Sequence, residues 1–581
     1  MSLSLIAQVD EALASAFALL SLPVELAHAE PSARPELGDF QCHAALAAAR
    51  AAKRAPRAIA EDIAAALRPD PRFAAVDVAG PGFVNLRLAD AFLAEVAAAT
   101  LADPGLGIPD EGMGRLVVLD FGGPNVAKPL HVGHLRSLVL GESLRRLHGA
   151  LGWRTHGDAH LGDWGLQMGM LSAAIRRMAP ALPYFSGSGP FPVDAPVTLD
   201  ELERLYPTAA AACRDDPARM AEARADTAAL QAGDPGLLAL WHNLRQLSVD
   251  AQRKDFALLD VHFDALDGES DVRDAVAPLV EDFRARGIAR ESEGALVVDV
   301  ALPGDTHDVP PLLLAKSDGA ALYATTDLAT LQARAAMPGL AKVVYVVDQR
   351  QALHFQQVFR AAHRAGIAEG VTLVHAGFGT VNGKDGKPFK TRQGGVARLR
   401  DLLDEAVERA RERVDASARV APEERAALAR MIGIAAVKFA DLAGDRLSGY
   451  VFDADRLVAF EGKTGPYLQY AVVRMRSVLE RAEGMPVGAP FAEQPVEREL
   501  VLACLALGDK TSEAAQLLQP GVLAAWAYDI AQRFSRFYDR CPILPEPDET
   551  VRARRLGICQ LSLAVLERAL HLLGIAVPQR M

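Results

Sequence analysis

The segment LVVLDFGGPNVAKPLHVGHLRSLVLGESLRRL, Leu116 to Leu147, changes its hydrophobic period part-way along. Leu116 to Leu119 form an unbroken apolar run closed by Gly122, Gly123 and Pro124, whereas Leu135, Leu138, Val139, Leu144 and Leu147 recur at helical spacing. A strand therefore passes through a short loop into a helix, and His131-Val132-Gly133-His134 falls where that helix begins. Such a helix start presents unpaired N–H groups and positive dipole, so an anion is held there at low cost. Gly133 leaves room for a ring or a phosphate to reach the backbone. The two imidazoles, three residues apart, share a face and can follow a phosphate as it gains charge in a transition state. Two plainer readings stand beside this one: capping or core histidines, and a metal group completed by His156, His160, Asp158 and Asp163.

The rest of the chain sets that corner in an α/β domain. Strand and helix alternate from 109 to about 395, the pattern of a parallel sheet, and Lys342 to Asp348 read as a second buried strand. Asp120 and Asp348 then stand at carboxyl ends of strands, where such sheets bind ligands. A Pro/Gly-rich stretch near 180–197 followed by helical sequence marks an inserted subdomain at about 185–262. Residues 1–108 read as a small α+β unit, with Pro81 to Leu88 a strand after a glycine turn. Helical patterns take over from 396: a connecting region over 396–455, with helices at 398–415 and 422–440, and a bundle over 456–581. Its last helix is expected over Cys559 to Leu573.

With 581 residues, half of them apolar, several sizeable cores are possible. No apolar run is long enough to cross a bilayer, and no basic leader precedes the first apolar residues. Five cysteines without a C-x-x-C pair point to a reducing, cytoplasmic setting. A formal charge of −12 gives no global attraction to nucleic acid and leaves a local basic stripe open.

A second site signal is GKDGKPFKTRQGG, Gly383 to Gly395. Lys384, Lys387, Lys390 and Arg392 alternate with glycines, as in a mobile cationic loop that closes on a polyphosphate. The alternative is a solvated surface hairpin.

H-V-G-H resembles the HIGH signature of class I aminoacyl-tRNA synthetases, and the basic loop is similar to their KMSKS signature. PNVAKPLHVGHLRS, HLGDWGLQMG (His160 to Gly169), LYATTDLA (Leu322 to Ala329), DQRQALHF (Asp348 to Phe355) and a terminal VPQRM together resemble the arginyl-tRNA synthetase family, in the expected order. The resemblance implies a Rossmann-like parallel-sheet catalytic domain, an N-terminal α+β domain on the tRNA elbow and an all-α C-terminal bundle on the anticodon loop. The activity implied is arginine–tRNA ligase, with L-arginine, ATP with Mg2+ and tRNA(Arg) as partners. No tightly bound metal, no membrane and a monomer are expected. The family resemblance also implies initial transfer to the 2′-hydroxyl and a need for bound tRNA before arginine is activated.

By the same resemblance, Lys128, His131, Gly133, His134, Gly162, Asp163, Gln167, Lys387 and Lys390 would bind ATP, with buried loop-stabilising roles the alternative for Asp163 and Gln167. Asp327 would pair with the substrate guanidinium, with Tyr323, Asp120, Asn125, Gln351 and Glu269 around it. Tyr323 and Asp327 are spaced i, i+4 and share a helix face, and a carboxylate meets a guanidinium with two parallel hydrogen bonds. Asn85 would touch the tRNA elbow, and Tyr467, Arg474, Tyr538 and Met581 the anticodon loop, with Tyr470 and Arg536 also available. The loop departs from the family pattern, reading KPFKTR without the second lysine in register. Lys128 is nominated for that charge, with Lys387 and Lys390 as rivals. Two other readings remain: a histidine-ligated metal hydrolase, and an RNA-binding chain that has lost catalysis.

Overall fold

A computed structural model describes residues 4–187, 189–316, 322–387, 389, 397–416 and 420–581. Strand β1 (Leu116–Phe121) is buried at every position and lies inside a four-stranded parallel sheet. Its neighbours are β2 (Arg154–Asp158) on one side and β3 (Leu340–Val346) on the other, with β4 (Thr372–His375) beyond β3. Burial on both faces explains the continuous apolar runs in β1 and β3. The expected 342–348 strand is displaced: β3 ends at Val346, and Asp348 stands beyond it, bridged to Phe378.

Helix α1 (Val132–Ala150) returns across β1. Gly141 makes this possible, since a Cβ there would overlap the Phe121 ring. Gly122 turns the chain out of β1 at φ +83°. Its N–H donates to Ser137 Oγ at 2.7 Å, and that hydroxyl donates to Val346 O at 2.6 Å. One serine thus ties the glycine loop, α1 and β3 together.

Helix α2 (Leu166–Met178) carries the inserted subdomain, with helices Leu199–Asp215, Pro217–Gln231 and Pro235–Leu258 packed around Met168, Leu171, Leu202, Leu230 and Leu240. Helices α3 (Tyr323–Ala335) and α4 (Ala352–Ala365) cover the β3 side of the sheet. Further along, α5 (Pro422–Leu442) packs against α1, and α6 (Glu549–Leu572) closes the C-terminal bundle. The last helix starts at Glu549 rather than Cys559, because the polar run before the cysteine is itself helical. Asp548 caps it, accepting from Thr550 N and Val551 N, and Arg555 is buried against Glu497 and Glu546. Among the described residues no helix is long and apolar enough to cross a membrane.

The N-terminal residues form an antiparallel sheet, with Phe83–Leu88 between Phe40–Cys42 and Phe73–Ala79. This unit is clamped to the C-terminal bundle by Arg498, whose guanidinium meets Asp39 at 2.6 Å and Asp90 at 2.5 Å.

Candidate active site

His131 is the N-cap of α1. Its Nδ1 accepts from Gly133 N at 3.0 Å, and its own N–H donates to His134 Nδ1 at 3.0 Å. Both Nδ1 atoms therefore serve as acceptors, which assigns the remaining proton of each neutral ring to Nε2. Burial, the adjacent ring and Lys128 pull His134 down to about 3, and burial and Lys128 also lower His131. The ring centroids are 3.9 Å apart. The corner thus holds two uncharged N–H donors side by side, fixed by the backbone they cap.

The two signatures are joined by main-chain hydrogen bonds. Val132 N donates to Ala397 O at 3.0 Å and Leu399 N to Leu130 O at 2.8 Å, so the exit of the basic loop lies along H-V-G-H. At the loop's entry, Val381–Asn382 pairs with Tyr450–Val451, Gly383 N donates to Lys387 O at 2.8 Å, and Gly386 turns at φ +73°. Lys384 is held by Asp453 at 3.2 Å, while Lys387 is exposed. Lys390 and Arg392 lie outside the described residues. The described half is thus a hydrogen-bonded turn held at its entry. Lys128 Nζ sits 4.4 Å over the Tyr206 ring of the inserted subdomain, an interaction that sequence reasoning missed.

The glycine loop is braced by the G-D-W-G segment. Val126 N donates to Gly162 O at 3.1 Å and Gly162 N to Pro124 O at 3.2 Å. A Cβ on Gly162 would collide with Asn125 Oδ1, so the two chains meet only because this residue is glycine. The Gln167 amide also donates to Gly162 O, which turns its nitrogen toward the loop. Asp163 is corrected from the ATP set: it has no exposure, and its carboxylate accepts from Ser270 N at 3.0 Å, Ser270 Oγ at 2.8 Å and Arg245 Nε at 2.7 Å. All of its charge is satisfied inside the fold.

Tyr323 opens α3 and is 69% exposed. One turn on, Asp327 Oδ2 lies 2.6 Å from His354 Nε2 at the start of α4. Glu269 is buried close by and accepts from Trp164 N at 3.3 Å. Burial pushes its carboxyl up to about 7, assisted by Asp163 and Asp327 and opposed by the Trp164 N–H and His160. The Tyr323 phenol is also raised, first by burial and then by Glu269 and Tyr206. Tyr323, Asp327 and Glu269 therefore share one acidic recess. Gln351 is exposed beside it, just ahead of α4.

Asp120 is not free to face that recess with both oxygens. Arg334 Nη2, from α3, lies 2.7 Å from Asp120 Oδ2 and 2.6 Å from Asp158 Oδ2, beneath the buried Tyr345 ring. One of the Asp120 oxygens, Oδ2, is thus taken up by an internal cation. Asp120, Asp158 and His160 form the one group with metal-ligand spacing among the described residues. Arg334 already places positive charge against both carboxylates, and His131, His134 and His156 are not in the group. The histidines on which the metal-hydrolase reading depends are thus not gathered into one group among the described residues.

The expected RNA contacts divide. Asn85 is only 2% exposed, and its Oδ1 accepts from Gln41 Nε2 at 2.6 Å on the neighbouring strand. Arg474 stacks 3.9 Å over Tyr538 with Asp539 at 3.5 Å, and Tyr467 packs 5.5 Å from Tyr528. Met581 rests on the apolar cluster of Leu428, Ile432 and Val458, whereas Tyr470 and Arg536 are exposed.

The missed residues, His354, Arg334, Tyr206 and Arg245, all act through partners distant in sequence. His354 alone lay inside a recognisable motif.

Comparisons with known proteins agree with this arrangement. The family model described as "tRNA synthetases class I (R), catalytic domain" matches residues 98–454. Those described as "DALR anticodon binding domain" and "Arginyl tRNA synthetase N terminal domain" match 468–581 and 4–88. The "Arginine--tRNA ligase" of Maricaulis maris is 48% identical over 582 residues, covering 99% of each chain. That of Alkaliphilus oremlandii is 42% identical over 95% of each. The solved arginyl-tRNA synthetase of Thermus thermophilus superposes with a TM-score of 0.80 at 25% identity, over 99% of this chain and all of the other. With matches that run through all three units of the molecule, the chain belongs to the arginyl-tRNA synthetase family of class I.

Proposed function

We infer that the protein is an arginine–tRNA ligase that activates L-arginine with ATP and transfers it to tRNA(Arg). The observation that carries this reading is the pairing of two neutral imidazole donors at a helix N-terminus with a carboxylate recess across the same sheet edge. In the first step the arginine carboxylate attacks the α-phosphorus of ATP, which arrives with Mg2+. The new P–O bond replaces the one to the bridging oxygen, and pyrophosphate leaves. In the second, a terminal ribose hydroxyl of the tRNA attacks the adenylate carbonyl, loses its proton and expels AMP.

Neither step needs a protein nucleophile, so the rate comes from positioning and charge stabilisation. His131 and His134 donate through Nε2 to phosphate oxygens as they gain charge, and Lys128, Lys387 and Lys390 supply cations. Asp327 meets the guanidinium of arginine, and Tyr323 covers it. Other side chains are rejected because they leave the second oxygen of that carboxylate without its cation. The five free, buried cysteines support a cytoplasmic location. Arginine-dependent pyrophosphate exchange, run with and without tRNA(Arg), tests the reading. Exchange that needs arginine is expected, and none even with tRNA present overturns it.

A further inference from the structure

At the opposite end of α1 from the histidines lies a cleft of about 660 Å³, enclosed by the last turns of α1, the 260–262 segment and the end of α6. Fourteen residues of helix separate Arg145 from His131, roughly 20 Å along the axis, so the cleft is not part of the ATP corner. Its charged lining is Arg145, Arg146, Asp260, His262, Arg568 and His571.

These groups are not equally satisfied. Arg146 is fully used: Nε meets Glu142 at 2.7 Å, Nη1 donates to His571 O at 3.0 Å, and Nη2 reaches Asp260 Oδ2 at 2.7 Å. Arg145 spends Nε and Nη2 on Glu142, at 2.9 and 2.8 Å, and keeps Nη1. Arg568 has no acceptor among the described residues, and its Nε is shut off from solvent. Burial lowers its guanidinium below the usual arginine range, as expected for a cation desolvated without a counter-ion. Counting what stands around the cleft, Arg145, Arg146, Arg568 and Lys438 face Glu142, Asp260 and Asp264. One positive charge is left over, in a chain whose total is −12. His262 and His571 are exposed at the rim and can add donors.

We propose that this cleft is a phosphate-binding site with Arg568 as its principal ligand and Arg145 Nη1 and the rim imidazoles as secondary donors. A guanidinium fork matches two oxygens of a phosphate, and donors from several elements suit a tetrahedral anion. The phosphate has two possible sources with the same chemistry, the backbone of bound tRNA and free inorganic phosphate.

The test compares the full-length protein with Arg568→Gln, and with Arg145→Gln, which leaves Arg146 on Glu142. Thermal unfolding is followed as inorganic phosphate replaces chloride at constant ionic strength, and tRNA(Arg) binding is followed across salt concentrations. The wild-type midpoint should rise with phosphate. That rise should be lost in Arg568→Gln and reduced in Arg145→Gln, while arginine-dependent pyrophosphate exchange persists in both. If tRNA is the source, Arg568→Gln also lowers the slope of log affinity against log salt by about one. An unchanged slope with a lost phosphate response assigns the site to free phosphate. The same phosphate response and the same tRNA slope in all three proteins would overturn the proposal.

Discussion

Asp327 and His354 meet across the mouth of the recess, Oδ2 to Nε2, at 2.6 Å. The carboxylate belongs to α3 and the imidazole to α4, so the contact fixes the rotamer of Asp327 from a separate element. With Oδ2 held by the ring, Oδ1 is the oxygen left to turn toward a ligand. A rigid acceptor loses less entropy on meeting a planar cation than a free one does.

Replacing Asp327 with Ala should therefore raise the KM for arginine by roughly thirtyfold or more and leave the KM for ATP within a few-fold. Truncating one partner of a buried charge pair costs about 2–5 kcal/mol. His354→Ala should raise the arginine KM by about ten- to a hundredfold, the equivalent of a hydrogen bond to a charged group. His354→Gln, which keeps a donor near the Nε2 position, should recover part of that loss. Steady-state pyrophosphate exchange measures all three. Equal effects on arginine and ATP would misplace the recess.

Glu269 makes the same recess sensitive to pH. Its carboxyl is pushed up to about 7 from an ordinary value of 4.5, chiefly by burial. Below 7 it is mostly neutral, and a bound arginine cation favours the ionised form. The arginine KM should accordingly fall as pH rises through 7, and Glu269→Gln should flatten that dependence. The sign for stability is opposite. Between 4.5 and 7 the folded chain holds more protons here than the unfolded one, so this residue's contribution is full below 4.5 and is lost as pH rises through 7. A pH series of KM values in wild type and Glu269→Gln decides the point.

At the signature corner the two ring nitrogens have separate jobs, and substitution can separate them. Asn places an acceptor near the Nδ1 position and removes the Nε2 donor, whereas Gln does the reverse. His131→Asn should keep the helix cap, and with it the thermal midpoint, yet lose roughly a hundred- to a thousandfold in activation rate. His131→Gln should keep more of the rate and lose about 1 kcal/mol of stability with the cap. Since His134 is held down to about 3, its protonation should leave no inflection in the rate profile above pH 5. An inflection near 6 that disappears in His134→Asn would show the ring titrating normally.

Much of this site was legible in residue order because it is local. The strand, glycine turn and H-V-G-H helix start lie within one short stretch, and Tyr323 and Asp327 lie one turn apart on one helix. The surroundings of Asp120 and Asp163 were not legible, for the opposite reason. Nothing near Asp120 announces that Arg334 will arrive beside it, and Asp163 is neutralised by Arg245 and Ser270 from other elements. Asn85 lies in a strand that the sequence shows, but only the neighbouring strand shows that Gln41 pairs with it. Long-range pairing, ionic at the two aspartates and between amides at Asn85, hid the signal each time, whereas motif spacing survived.

A buried ion pair joins the signature corner to the helical region. Arg136 of α1, 2% exposed, lies 3.0 Å from Asp441 at the end of α5, and its Nη1 donates to Ser448 O at 2.7 Å. The segment it holds leads into Tyr450–Val451, the strand paired with the entry of the basic loop. Burial raises Asp441 to about 6 against the pull of Arg136. Its contribution to stability is therefore full below 3.8, its usual value, and falls as pH rises through 6. Removing one partner strands a buried charge, so Arg136→Met should cost about 3–5 kcal/mol in denaturant unfolding at pH 7.5. The double change Arg136→Met with Asp441→Leu should restore most of that stability and abolish the pH dependence between 4 and 6. Aminoacylation should stay impaired in the double variant, because an apolar pair no longer anchors Ser448. Full recovery of activity together with stability would mean that Arg136 contributes packing alone and leaves the loop's position to its other contacts.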